Sequence, residues 1–300
     1  MRASSPEDWS SVRPELAEAI TLLRQGDEPG VQQAIELLQR ALLSFGIKVC
    51  GHREDAEDTA QEVLLKALPH LAKLEDPQAA SAWLYTAAKN RCLQGRRTAT
   101  YRRTVALDQL VPNEAELGAL LLADPAASPE DQALSDQDHR MLHEAVLALP
   151  PQYRMVLVLH DMEELDTELV ARILSIRPGT VRVRLHRARL LVRQEMAKLL
   201  QPKKAAPRRK RPAASRPVQC REIFANLSEY LDGHLARESC DRMRRHIEAC
   251  PACVAFIRDL KRAIDRCHAL DVCPDAEPRP VLRRLLTEEY LRLKKSSSNL

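Results

Sequence analysis

Four residues in the last third of the chain have the types and spacing of metal ligands. His246, Cys250 and Cys253 form an H-x3-C-x2-C pattern, and Cys220 lies 26 residues before the histidine. On a helix, positions four apart share one face, and two thiolates separated by two residues converge on one ion. The set therefore predicts a tetrahedral Cys3His zinc site. The alternative is a helical hairpin with buried, metal-free cysteines.

The remaining cysteines leave several roles open. Eight cysteines in 300 residues are too dilute for a disulfide scaffold. Cys240, Cys267 and Cys273 are candidates for packing, for a second metal site or for a resolving thiol. Cys240 lies in a polar segment, so we expect it to be exposed and open to oxidation. Cys92 is expected to be a packing residue.

A second chemical feature is a strongly basic helix. Residues 170–194 contain seven arginines and no acid, and Pro178 suits a first helical turn after a short break. The pattern indicates a helix, a turn and a second helix with an apolar stripe and a cationic outer face, which is how a helix-turn-helix enters a major groove. The stripe comprises Val181, Leu185, Ala188 and Val192, and the outer face carries Arg182, His186, Arg189 and Arg193. The alternative is a solvated basic helix, but surface helices normally mix charges.

The first hundred residues combine an acidic segment with an aromatic and basic one. Residues 51–62 carry five acids and one arginine, and the helical period gives one acidic face and one apolar face. The acidic face holds Asp55, Asp58 and Glu62, and the expected buried face holds Ala60, Val63, Leu64 and Ala67. Further on, Trp83 and Tyr85 precede a run of Lys and Arg, a combination that suits capture of a single nucleic-acid strand. The position of Trp83 suits the core better than a stacking surface. The acidic face, taken alone, also suits an ordinary solvent-exposed side of a helix.

Two stretches resemble the extracytoplasmic-function (ECF) sigma factors. Residues 148–196 contain an LP-x-x-Y-R-x-V-L opening and a G-T-V-x-x-R-L-x-R-A-R helix that starts at Gly179, as in region 4 of that family. Residues 41–103 contain A-E-D-x-x-Q-E from Ala56 and the W-L-Y and N-R-C-L segments typical of region 2. Glu164 and Ser175 replace glycines usual in the family, and a backbone without positive φ would accommodate both.

The resemblance assigns roles to individual residues. Residues for the −35 promoter element, some of which the basic outer face also indicates, are Thr180, Arg182, Arg184, His186 and Arg187. Residues for the −10 element are Asn90, Arg91, Arg96 and Arg97. Residues for docking on core RNA polymerase are Asp55, Asp58, Gln61 and Glu62. The segment from Leu227 to Phe256 is similar to the zinc-binding anti-sigma domain, a small helical module that clasps sigma factors.

Composition agrees with an all-α chain, because aromatic residues make up only 3% and there are eight glycines in 300 residues. We expect two helical sigma domains and a small helical zinc-binding domain. Residues 202–217 hold seven cations, four prolines and no acid, a composition that cannot form a core. The predicted division is 1–29 (helical extension), 30–103 (region 2), 104–137 (linker), 138–201 (region 4), 202–217 (basic linker), 218–267 (zinc domain) and 268–300 (tail with a short helix at 279–293).

These features predict a sigma factor that binds core RNA polymerase and promoter DNA, with its zinc domain contacting the sigma domains in cis. No phosphate loop or catalytic triad pattern is present, so we expect no enzyme. Without a long apolar segment, we expect a cytosolic protein that spans no membrane. One alternative is a metal or redox sensor whose last domain activates the sigma unit. Another is a stand-alone helix-turn-helix regulator that works without polymerase.

Overall fold

A computed structural model describes residues 13–71, 76–94, 105–110, 136–200, 218–270, 272 and 280–297. Within these ranges the regular structure is helical, which confirms the all-α fold class. The helices are α1 (Pro14–Gln25), α2 (Glu28–Cys50), α3 (Arg53–Leu71), α4 (Pro77–Leu93), α5 (Asp136–Ala148), α6 (Pro151–Leu157), α7 (Thr167–Leu174), α8 (Pro178–Leu200), α9 (Val218–Leu231), α10 (Arg237–Ala249), α11 (Pro251–Ala269) and α12 (Pro280–Ser297). The basic linker 202–217 and most of the predicted linker 104–137 lie outside the described residues.

The chain divides into two compact units, neither of which is one continuous stretch. The first comprises Met1–Tyr101, Val158–Pro178 and Asp271–Leu300. Its centre is formed by α2, α3 and α4, where the rings of Phe45 and Tyr85 meet edge to face with centroids 5.2 Å apart. The predicted apolar face of α3 is buried, which confirms the helical period inferred for that segment.

Local sequence fixes the ends of these helices. Asp27 caps α2 by accepting a hydrogen bond from the Gly30 N–H, and Asp76 caps α4 by accepting from Gln78 and Ala79. Gly51 ends α2 in the left-handed region, at φ 81°. A Cβ atom on Gly46 would lie 2.8 Å from the Ala56 Cβ, so only glycine allows α2 and α3 to approach this closely.

The last helix, α12, packs on α2 and α3 within the first unit and confirms the helix expected near 279–293. Arg283 pairs with Glu36 at 2.7 Å, and the buried Tyr290 hydroxyl donates to the Leu23 carbonyl at 3.0 Å. Lys294 donates from Nζ to the carbonyls of Leu23 and Arg24, the last turn of α1. These donors satisfy carbonyls that the end of a helix leaves without a partner.

The second unit comprises Arg102–Leu157 and Gly179–Leu270, and it contains the predicted recognition helix and the predicted zinc domain. In its first part, the Tyr153 hydroxyl accepts a hydrogen bond from the Val105 N–H at 3.2 Å, and Leu142 and Val146 are fully buried. In its last part, Phe224 of α9 and Phe256 of α11 pack edge to face at 4.9 Å. This aromatic pair is the centre of a small three-helix arrangement.

In the part of the chain that the structure describes, every helix is too short or too polar to cross a membrane.

Candidate zinc site and nucleic-acid interface

The candidate zinc ligands meet at the junction of α10 and α11. His246 lies in the last turn of α10, Cys250 is the residue between the two helices, and Cys253 lies in the first turn of α11. Pro251 at the first position of α11 sets the sharp turn, because proline is favoured there. Local helix geometry is therefore enough to bring these three ligands together.

The geometry of this cluster fits zinc. The Cys253 Sγ and the His246 Nε2 are 3.4 Å apart, and the ligand atoms of all three residues lie within 4.8 Å of one another. Tetrahedral zinc with bonds of about 2.3 Å to sulfur and about 2.0 Å to nitrogen places S and N about 3.5 Å apart. Cys220, the predicted fourth ligand, lies in the first turn of α9, and its side chain is outside the described part.

The other cysteines of this region differ in their surroundings. Cys267 is buried in α11. Cys240 is half-buried, and its Sγ donates to the Leu235 carbonyl at 3.4 Å, so the expectation that it is exposed is wrong in degree. Cys273 lies outside the described residues.

The predicted recognition helix, α8, starts at Pro178, and its apolar stripe is buried as expected. The side chains of Thr180, Arg182, Arg184 and Arg187 are half-buried, and Val183 is exposed. The prediction that His186, Arg189 and Arg193 lie on an exposed face is wrong, since they are only 7%, 3% and 8% exposed. We call these three residues the covered basic face of α8.

Residues directly after α9 and on α11 supply the partners of Arg189 and Arg193. Nη1 of Arg189 donates to both carboxylate oxygens of Asp232, each at 2.8 Å, just after α9. Arg193 donates to Asp259 of α11 at 2.6 Å, and its guanidinium lies 4.6 Å from the centroid of the Phe256 ring. No sequence motif pointed to these two acids. The signal that could have found them is charge complementarity, because residues 170–194 hold seven arginines and no acid.

His186 is the third member of the covered basic face. Its Nδ1 lies 2.9 Å from the Ser228 hydroxyl of α9. Burial, together with the nearby charges of Arg189 and Arg187, lowers the pKa of His186 to about 4. The imidazole is therefore neutral at pH 7 while it is covered.

Two backbone positions around α7 carry strain. Glu164 and Ser175, which replace family glycines, have φ values of 56° and 55°. We expected a backbone without positive φ to accommodate these two residues, but φ is positive at both positions. Ser175 ends α7 in the left-handed conformation, and its N–H donates to the carbonyls of Ala171 and Arg172. The turn keeps the shape that glycine favours, and a residue with a Cβ adopts it at a cost.

The acidic face predicted on α3 is accessible in the first unit. Asp55 and Asp58 are exposed, and Gln61 and Glu62 are half-buried. Glu62 accepts hydrogen bonds from Lys66 and from Arg91 of α4, and these lower its pKa. Arg91, which is predicted to contact the −10 element, is thus paired with Glu62, which is predicted to dock on core polymerase.

The region around the predicted −10 residues differs partly from the expectation. Asn90 is exposed at the end of α4, whereas Arg96 and Arg97 lie outside the described residues. Tyr85 is buried, so its predicted role as a stacking surface is wrong in this structure. Trp83 is half-buried, and its ring centroid lies 4.7 Å from that of His70.

Sequence reasoning also missed a buried ionic cluster in the first unit. Glu163 accepts hydrogen bonds from Lys48 and Arg13, both at 2.9 Å, and from the Tyr85 hydroxyl at 2.8 Å. Burial opposes ionisation of this carboxylate, but the charges of Lys48 and Arg13 outweigh it and hold the pKa of Glu163 below its usual range. The same burial and the Glu163 charge raise the pKa of Tyr85 well above 10.

Comparison with known proteins matches three stretches of the chain to family models. The family model for sigma-70 region 2 matches residues 34–102, that for sigma-70 region 4 matches residues 139–192, and a zinc-finger family model matches residues 220–253. The last match begins at Cys220 and ends at Cys253, the outer two of the predicted ligands.

Three relatives are RNA polymerase sigma factors. The ECF sigma factor SigW of Bacillus subtilis is 28% identical over 182 residues, which cover 60% of this chain and 96% of the relative. The sigma-H factor of Pseudomonas aeruginosa is 30% identical over 182 residues, 60% of this chain and 91% of the relative. A probable sigma factor of Xanthomonas campestris, RfaY, is 32% identical over 171 residues, 56% of this chain but only 41% of that protein.

Fold, motifs and matches together define a helical transcription factor with an added domain of the zinc-finger type. The chain belongs to the ECF group of RNA polymerase sigma factors. Sigma factors are transcription initiation factors and not enzymes, and membership of the family implies interaction with core RNA polymerase and promoter DNA. The expected cytosolic location stays a prediction.

Proposed function

We propose that this sigma factor docks on core RNA polymerase through the acidic face of α3 and reads promoters through the residues assigned to the −10 and −35 elements. We further propose that its own zinc domain restrains it by occupying the covered basic face of α8. The observation that carries this proposal is the pairing of Arg189 and Arg193 with two acids of the zinc domain.

The polymerase surface is supported by the contrast between the two sides of α3. Asp55 and Asp58 are exposed while the opposite side of the helix packs into the first unit, so the acidic face lies at the surface, where a basic partner can contact it. Reversing Asp58 and Glu62 together to lysine should abolish binding to core polymerase and leave helical content unchanged. Reversal of Glu28, an exposed acid at the start of α2, is the matched control. Normal promoter-dependent transcription from the double variant would contradict the assignment.

The restraint by the zinc domain follows from competition for the same donors. A guanidinium that donates to a carboxylate in a buried pair cannot donate the same N–H groups to a phosphate or a guanine. Asp232 and Asp259 therefore occupy donors that DNA would otherwise use. The DNA-binding state requires that the zinc domain leave α8, which exposes His186 and both arginines together.

Neutral variants of the two acids test this restraint. The double substitution Asp232→Asn and Asp259→Asn should raise affinity for promoter DNA about tenfold or more, because each charge-assisted hydrogen bond contributes about 1.5–3 kcal/mol. Asp241→Asn, at an exposed acid of α10 that pairs only locally with Arg244, is the control. Unchanged affinity in the double variant would show that the zinc domain does not limit access to α8.

The zinc site offers a way to control the restraint. His246, Cys250 and Cys253, with Cys220 as the predicted fourth ligand, would hold the ion, and bound zinc would fix α10 and α11 against each other. Phe256 and Asp259, which hold Arg193, lie within two turns of Cys253 on α11. Loss of the ion would therefore loosen the helix that carries them.

Cys253→Ser distinguishes an inhibitory domain from an activating one. The variant should lose zinc, measured by metal analysis, and promoter-dependent transcription should rise as it does in the Asp232/Asp259 variant. A fall in transcription on zinc loss would instead favour the activating metal sensor. Failure of the unmodified chain to bind core polymerase would favour the stand-alone regulator.

A further inference from the structure

Two cysteines outside the zinc domain lie together in region 2. Cys50 is the last residue of α2, and Cys92 is the last residue but one of α4. Their Sγ atoms are 2.7 Å apart, and the two cysteines are not joined by a disulfide bond. This is shorter than the roughly 3.5–4.0 Å at which non-bonded carbon atoms pack, although sulfur is the larger atom. It exceeds a disulfide bond of about 2.05 Å by about 0.65 Å.

The surroundings show that this contact is built into the fold. Cys50 and Cys92 are 5% and 7% exposed, and the Thr59 hydroxyl lies 3.9 Å from the Cys92 sulfur. Gly51 ends α2 immediately after Cys50. Both cysteines therefore sit in last turns, where local opening of a helix requires the least free energy. Opening of these turns would give a small oxidant access without unfolding of the unit.

We propose that Cys50 and Cys92 are a redox-sensitive pair that forms an intramolecular disulfide on exposure to a hydroperoxide. One thiolate attacks the peroxide oxygen to give a sulfenic acid and releases the alcohol, or water from hydrogen peroxide. The second thiol attacks that sulfur, the S–S bond forms, and a water molecule leaves. Two thiols are oxidised by two electrons, and one peroxide is reduced.

The bond would enclose the helix that carries the acidic face. The two cysteines are 42 residues apart, and the loop they would close contains the whole of α3. It would also fix the end of α4 directly after Asn90 and Arg91. Oxidation would thus hold α2, α3 and α4 in their present arrangement, independently of the zinc site.

The experiment is peptide mapping of the full chain. Reduced protein is treated with hydrogen peroxide, free thiols are alkylated, and the chain is cleaved with trypsin without reduction. Trypsin cuts after Lys48 and Arg53 and after Arg91 and Arg96, so the linked product joins VCGHR to CLQGR. We expect this product, two hydrogen atoms lighter than its reduced peptides, in the monomer band of a non-reducing gel. Cys50→Ser and Cys92→Ser should each abolish it, and Cys240→Ser should leave it unchanged.

Two results would overturn the proposal. One is recovery of both peptides in alkylated, unlinked form although peroxide has oxidised the cysteines of the zinc domain, which serve as the positive control for the oxidant. The other is a Cys50–Cys92 link found only in a covalent dimer. A second measurement does not depend on the rate of oxidation by peroxide. Equilibration in glutathione buffers should give a midpoint redox potential for the Cys50–Cys92 disulfide. The thermal unfolding temperature of the oxidised chain should rise only where both cysteines are present.

Discussion

Replacing Glu163 by glutamine tests the buried ionic cluster of the first unit. The carboxylate is fully buried, and its partner Lys48 is only 3% exposed, so the substitution leaves a buried ammonium without a counter-charge. Removing one member of such a pair costs about 3–5 kcal/mol. We expect about 3 kcal/mol, the lower end, because glutamine still accepts a hydrogen bond from Tyr85 and Arg13 is partly solvated.

The measurement is urea unfolding of the full chain, followed by the fluorescence of Trp83, which lies in the same unit beside His70. The midpoint should fall without a change in slope. Adding Lys48→Met to Glu163→Gln removes both charges of this ion pair, and most of the lost stability should return, because the buried ammonium that lacked a counter-charge is gone. Lys48→Met alone should be destabilising, because it leaves Glu163 buried with only Arg13.

The pH dependence provides a second criterion. The pKa of Glu163 is lower in the folded chain than its ordinary value of 4.5, so its contribution is complete above pH 4.5 and is lost as pH falls through the folded pKa. The difference between the original chain and Glu163→Gln should therefore shrink below pH 4.5. If the glutamine variant unfolds within about 0.5 kcal/mol of the original chain at pH 7, the range usual for surface substitutions, the reasoning is refuted.

Three further outcomes follow from the same structure. Ser175→Gly should stabilise the turn after α7 by about 1 kcal/mol in thermal unfolding, because a left-handed residue with a Cβ is strained; an unchanged midpoint would contradict this. Arg187→Ala should reduce discrimination at one or two −35 positions by about 1–3 kcal/mol in binding assays with altered promoters, and uniform weakening would instead indicate a phosphate contact. Because the pKa of His186 falls to about 4 when covered, restraint by the zinc domain should be complete above pH 6.5 and weaken as pH falls toward 4. Hydrogen exchange in α9 should rise over that range, and His186→Asn should remove the dependence.

Sequence reasoning predicted those features that depend on one element at a time. The buried stripe of α8, its start at Pro178 and the apolar face of α3 all follow from helical periodicity and from proline chemistry. The cluster of His246, Cys250 and Cys253 was equally predictable, because its members lie within eight residues on two consecutive helices.

Features that join distant segments could not be predicted in this way. Periodicity places Arg189 opposite the apolar stripe of α8 but cannot show that Asp232, 43 residues later, covers it. Tyr85 has the composition of a stacking residue, yet its hydroxyl finds Glu163 across 78 residues and becomes part of a core. In both cases a polar side chain is buried together with its hydrogen-bonding partner. The sequence of a single helix does not indicate which distant residue that partner is.

The position of α12 has a consequence for synthesis of the chain. Arg283 reaches back 247 residues to Glu36 of α2. Ribosomes add about 5–20 residues per second, so α12 emerges on the order of 10–50 seconds after the surface of α2 on which it packs. During that time the nascent region 2 lacks α12, and the faces of α2 and α3 on which α12 packs stay open to chaperones and to other chains.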